Sequence, residues 1–129
     1  MKVLFIGDIV GKVGRLTLKA LLPNLVDRYK IDLVIANGEN AAGGFGITDK
    51  TATEIFGFGV HVITTGNHIW DKKESIPYIA KEDRILRPAN YPPGVPGNGS
   101  LILRVADMKV GILNMSGRVF MSPIDSQFR

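Results

Sequence analysis

One pattern constrains this fold more than any other: three short apolar runs, each closing on glycine beside polar residues. The first, Lys2 to Ile9 with the core VLFIG, closes on Gly7-Asp8. The second, Ile31 to Ala36, closes on Asn37-Gly38-Glu39-Asn40, and the third, Val60 to Thr65, on Gly66-Asn67-His68. Unbroken apolar runs of this length read as strands buried on both faces. Between the first two, Leu16 to Tyr29 reads as an amphipathic helix with Leu18, Leu21, Leu22, Leu25 and Val26 on one face, and with Pro23 as a kink or break. Thr48 reads as the N-cap of a helix running to about Phe56. A short helix is expected near Lys72 to Ala80, and Arg87 to Gly99, rich in Pro and Gly, is loop. Leu101 to Val105 and Lys109 to Met115 read as a hairpin turning at Asp107-Met108 that adds an antiparallel edge. The order β-α-β-α-β implies an α/β fold, a mostly parallel sheet with flanking helices and right-handed crossovers.

The chain has 129 residues, 45% hydrophobic and 22% charged, with neither an internal repeat nor a linker that would divide it. That suits one domain. The net charge of +4 favours an anionic substrate but is spread too evenly for a nucleic-acid patch. There is no cysteine, which excludes disulfides and thiolate metal sites. The apolar start, Val3 to Gly7, is too short and too soon charged for a signal peptide or a membrane helix. A cytoplasmic protein starting at Met1 is the expectation.

In open α/β sheets, ligands bind beyond the carboxyl ends of the strands. The three strand ends therefore bring Asp8, Glu39, Asn40, Asn67 and His68 to one edge. Carboxylate, amide oxygen and imidazole suit Mn²⁺, Fe²⁺ or Zn²⁺, and a carboxylate such as Glu39 can bridge two ions about 3.5–4 Å apart. Singly, each residue is more simply a turn former, a cap or a surface group; together, at one end of three successive strands, they favour a site. His61 starts a strand at the opposite edge and reads as structural. The glycines at 7, 11 and 14 have neither dinucleotide-loop nor P-loop spacing. Lys12 and Arg15 read first as surface solvation, Trp70 as packing beneath the His68 loop, and Asp71 as a cap for the next helix. Asn90 and Tyr91 either border a cleft or belong to a packed loop.

The stretches LFIGDIVGKVGR (4–15), NGENAAGGFGIT (37–48), TTGNHIWDKKE (64–74), LRPANYPPGVPGNG (86–99) and NMSGRVFMSPID (114–125) resemble the YmdB-like bacterial metallophosphoesterases, a branch of the calcineurin-like phosphoesterase superfamily. The resemblance implies two divalent metal ions, Fe or Mn before Zn, with Asp8 on one, Glu39 bridging both, Asn40 joining the first and Asn67 the second. It implies His68 as the catalytic acid and a small phosphodiester substrate, a 2′,3′- or 3′,5′-cyclic nucleotide. Where the wider superfamily carries an Asp-x-His pair, Ile9-Val10 follow Asp8 here, and Glu39-Asn40 replace its Gly-Asp; both departures belong to this branch. Members are considerably longer, forming an α/β/β/α sandwich whose second half brings further metal-binding histidines. This chain has only His61 and His68. Residues 1–129 are therefore expected to be a truncated N-terminal portion of one such domain, ending unfinished at Arg129, with an incomplete site. The partner would be the missing C-terminal half or a second copy. Two alternatives stand beside this one: a non-catalytic module acting through self-association or partner binding, and a nucleotide-binding domain without hydrolysis.

Overall fold

The computed structural model describes residues 1–126, so the chain end at Arg129 lies outside the described residues. Four strands form a parallel sheet in the order β1 (Val3–Ile6), β2 (Leu33–Asn37), β3 (Val62–Thr64), β4 (Ile85–Leu86). The register sets Ile6 beside Ala36 and Ala36 beside Ile63, so the first three strands end close to one line. The α/β class with a mainly parallel sheet is as read from the sequence. β4 escaped that reading because two apolar residues carry no period.

Helix α1 (Gly11–Tyr29) begins five residues before its expected start. Its cap position, Val10, offers no side-chain acceptor, so the usual start signal is missing. What fixes the start is tertiary: the Gly11 N–H donates to the Asn40 carbonyl at 2.9 Å, with Gly11 in the left-handed region at φ 56°. The helix runs through Pro23, which is exposed, and ends on Lys30 at φ 52°. Helix α2 (Asp49–Gly57) is capped as expected: the Thr48 hydroxyl accepts from the Thr51 N–H, and the Thr51 hydroxyl accepts from the Thr48 N–H. Two 3₁₀ turns, Asn67–Trp70 and Lys73–Ser75, lead into the single-turn α3 (Ile76–Ile79).

Strands β5 (Ser100–Val105) and β6 (Met108–Leu113) pair antiparallel with each other but do not extend the main sheet. The expected antiparallel edge is thus a second layer. Leu101, Leu103 and Val105 alternate with Ile102 and Arg104, and that apolar stripe needs cover. It finds cover on Leu33, Ile35, Val62 and Leu86. The hairpin turns at Ala106–Asp107, one residue earlier than read, with Ala106 at φ 51°.

The two layers explain the unbroken apolar strands. Val34, Ala36 and Ile63 face the helices with Leu18, Leu22, Ile47 and Ile55, while Leu33, Ile35 and Val62 face the hairpin. Full burial of each large aliphatic side chain contributes about 1.5–3 kcal/mol. Among the described residues no helix is long and apolar enough to cross a membrane.

Candidate metal centre

Asp8 leaves β1, and Asn40 closes the turn after β2. Their side chains meet: Asn40 Nδ2 donates to Asp8 Oδ1 at 2.9 Å and to Oδ2 at 3.0 Å. That contact fixes the amide's orientation, since a flipped amide would set oxygen against carboxylate. Asn40 Oδ1 is consequently buried without a hydrogen-bond partner. A buried acceptor left unpaired costs about 1–3 kcal/mol and needs an explanation; a bound cation supplies one.

Glu39 sits deeper. Its Oε1 accepts from Asn37 Nδ2 at 3.1 Å and its Oε2 from the His68 N–H at 3.3 Å. The decisive contact is with Gly66: a Cβ there would lie 2.5 Å from Glu39 Oε1 and 2.7 Å from Oε2. A side chain at this position would force the Glu39 carboxylate, the end of a flexible side chain, to move aside. The Gly-Asn-His turn is built around Glu39, which ties the second strand end to the third.

His68 lies in the 3₁₀ turn after β3. Its Nδ1 is buried without a hydrogen bond, and Asp71 Oδ2 stands 3.5 Å away. The two groups are close but outside hydrogen-bond geometry. Asp71 was expected to cap the next helix; instead the following 3₁₀ turn has Lys72 at its cap position with no side-chain cap, and the Asp71 carboxylate faces His68. Asn67, the first residue of the same turn, is exposed. The strand ends thus form two contacts, the Asp8 side chain with that of Asn40 and the Glu39 carboxylate with the backbone of the Asn67-His68 turn.

Tyr91 borders the cleft. Its hydroxyl is 3.5 Å from the Gly66 carbonyl. Burial first, then the charges of Glu39 and Asp71, push its phenol above the ordinary tyrosine value. Trp70 packs against it, ring centroids 6.5 Å apart. Asn90 is a structural staple: buried, it donates to the Ser116 and Asp125 carbonyls and accepts from the Ser116 N–H. Arg15, read as surface solvation, is instead held in the fold: it binds Glu54 Oε2 at 2.9 Å and the Ala41 carbonyl. His61 is structural as read: its Nδ1 accepts from the buried Val34 N–H at 2.9 Å. The sequence reading missed Asn37 and Asp71. The i, i+3 spacing of Asp71 from His68, one 3₁₀ turn, was the available signal.

Two carboxylates, two amide oxygens and an imidazole fit a hard or borderline divalent cation. The set is one-sided, however. Among the described residues no three His, Cys, Asp or Glu side chains come together in a way that could hold a metal ion.

Residues 4–129 match the model of the YmdB-like protein family. The chain belongs to the YmdB-like family. It is 42% identical over 128 residues to a 2′,3′-cyclic-nucleotide 2′-phosphodiesterase of Bacillus subtilis (strain 168), covering 99% of this chain and 48% of that protein. The crystal structure of a hypothetical protein from Thermus thermophilus superposes with a TM-score of 0.92 at 43% identity, covering 99% of this chain and 50% of the other. A novel phosphatase from Mycoplasma pneumoniae superposes with a TM-score of 0.93 at 32% identity, again over 99% of this chain and 48% of the other. This YmdB-like chain therefore spans about half the length of the relatives it matches, and the described sheet and hairpin correspond to half of a metallophosphoesterase sandwich.

Proposed function

We propose that this chain is one half of a two-metal phosphodiesterase site, the N-terminal portion of a single domain. On its own it acts as a binding module, and it becomes a catalyst when the rest of the ligand set joins it. The observation that carries this reading is Glu39 closed against Gly66, together with Asn40 bound to Asp8 and an Asn40 Oδ1 buried without a partner among the described residues. The absence of a three-residue acid or imidazole cluster among the described residues favours the module over a self-sufficient enzyme.

In this reading Asp8, Glu39, Asn40 and Asn67 would hold the divalent ions. When bound, two divalent ions activate a water and neutralise charge on the phosphate. His68 gives a proton to the leaving oxygen. Asp71 steadies the His68 ring from the Nδ1 side, and the Tyr91 hydroxyl, protonated at neutral pH, offers a donor at the cleft wall. The relative's description as a 2′,3′-cyclic-nucleotide 2′-phosphodiesterase supports a cyclic nucleotide as substrate.

The test is turnover of bis(p-nitrophenyl) phosphate with Mn²⁺. The pure chain, of verified mass, is expected to be inactive and to bind Mn²⁺ weakly. Mixing with the second half of the B. subtilis relative should produce Mn²⁺-dependent turnover that Asp8→Asn and His68→Ala variants lack. Robust turnover by the chain alone refutes the module, and a stable but inactive mixture refutes the half-site.

A further inference from the structure

Among the described features, one exposed aromatic ring lies beside the strand-end cleft without serving the core. Phe45 stands at the tip of the loop between β2 and α2, with 50% of its surface in water and no place in either hydrophobic cluster. The loop holds it there firmly. Ala42 N–H donates to the Gly46 carbonyl at 2.9 Å, closing the tip, and Ala41 and Ile47 at its two roots are fully buried. Gly43, Gly44 and Gly46 all have positive φ, which a side chain would resist.

The tip is pressed against the cleft wall. A Cβ on Gly46 would meet Lys72 Cγ at 2.7 Å and Asp71 Cβ at 3.3 Å. Lys72 Nζ lies 4.3 Å from the centre of the Phe45 ring, a cation–π contact. Asp71 in turn faces His68 at 3.5 Å. Phe45, Lys72, Asp71 and His68 thus run in sequence from the rim to the proton donor.

We infer that Phe45 and Lys72 form a nucleoside-binding rim, on which the base of a nucleoside phosphate stacks while the ammonium meets its phosphate or ribose oxygens. Deepening the phosphodiesterase reading, on which it rests, the rim assigns base recognition to residues outside the metal ligands. An aromatic face suits any base, because every base presents a π-face. The rim therefore selects nucleotides over base-free phosphodiesters without choosing among bases. Lys72 lies over the ring, and Phe45 keeps half of its surface in water for contact with a base.

The experiment is saturation-transfer NMR and affinity titration of the 129-residue chain with 2′,3′-cyclic AMP and with 1-O-methylribose 2,3-cyclic phosphate, which lacks the base. The adenine H2 and H8 protons should receive the strongest saturation, and the cyclic AMP should bind about tenfold tighter than the base-free probe. Phe45→Ala should remove that preference and leave the base-free affinity unchanged. Phe45→Trp should keep the preference and show fluorescence quenching. Lys72→Met should weaken both probes. If Phe45→Ala binds the cyclic AMP as tightly as the unmodified chain, the rim is wrong while the phosphodiesterase reading stands. If neither probe binds the unmodified chain, the rim falls, and the phosphodiesterase reading stands or falls separately with the turnover of the completed mixture.

Discussion

Gly66 reads in the sequence as a turn residue, which is correct but incomplete. Its deeper reason is the Glu39 carboxylate, 2.5 Å from where a Cβ would stand. No sequence pattern reports a contact between residues 27 apart. Gly66→Ala should push the carboxylate out of place, lowering Mn²⁺ affinity at least tenfold by calorimetric titration while costing little stability, because the displaced atoms are the end of a flexible side chain. An unchanged Mn²⁺ affinity would remove Glu39 from the ligand set. His61 gives the complementary case. Its Nδ1 is the partner of the Val34 N–H, a group buried beneath a fully covered side chain. His61→Ala should cost about 2 kcal/mol in urea denaturation, the penalty of orphaning that donor. Mn²⁺ affinity should not move, because His61 lies at the far end of the sheet from Asp8 and His68. The strand-start position made this role legible in advance. The role of Asp71 was not, since an acidic residue before a predicted helix fits a cap equally well.

At the scale of elements, legibility follows locality. Helix α2 was readable because Thr48 and Thr51 carry its whole start signal. Helix α1 was misjudged because its start depends on Asn40, 29 residues past Gly11. The expected apolar face of α1 was only partly right: Leu18 and Leu22 are buried, but Leu21 and Leu25 are 53% and 36% exposed. The connection from α3 to β4 carries a local device of its own. Glu82 receives two hydrogen bonds from the Arg84 guanidinium, at 2.9 and 3.0 Å. Those bonds hold its carboxyl below the ordinary glutamate value, with burial opposing them. A carboxyl held low when folded takes up a proton more readily when unfolded. Its stabilisation is therefore fully present above the ordinary glutamate value and is lost as pH falls through the lowered one. Because Arg84 is half exposed, the pair should contribute only about 0.5 kcal/mol. Glu82→Gln should be less stable than the unmodified chain at pH 7 by that amount, and the two should converge on acidification through the carboxylate range. Parallel denaturation curves with a constant gap down to pH 2 would exclude the assigned cause.

The whole molecule is a sandwich open along one flank. Among the described residues β1 is an edge strand, paired only with β2, and β6 is the outer strand of the hairpin layer. Along this side Val3 and Phe5 are 46% and 59% exposed, with Leu113 at 64% and Met115 at 38%. Phe5 shares the sheet face of Ile35, its neighbour in register, yet Ile35 is covered by the hairpin and Phe5 is not. A cleft of about 630 Å³ runs between the layers here, with Val3 and Phe5 on one wall and Val110, Ile112 and Met115 on the other. An uncharged apolar edge of this kind is a template for another strand. The relatives are about twice as long as this chain, so the occupant we assign is polypeptide equivalent to their second half. The same docking would carry the remaining ligands toward the open side of the Asp8–Asn40 pair, joining the missing layer and the missing chemistry in one event. Phe5→Lys tests this directly. The side chain is mostly in water already, so the melting temperature of the isolated chain should change little. Binding to the second half of the B. subtilis relative should fall by at least tenfold, as should the turnover of the mixture. If the unmodified chain is instead a stable dimer at micromolar concentration by light scattering, and Phe5→Lys makes it monomeric, the flank belongs to a second copy and the assigned occupant is wrong.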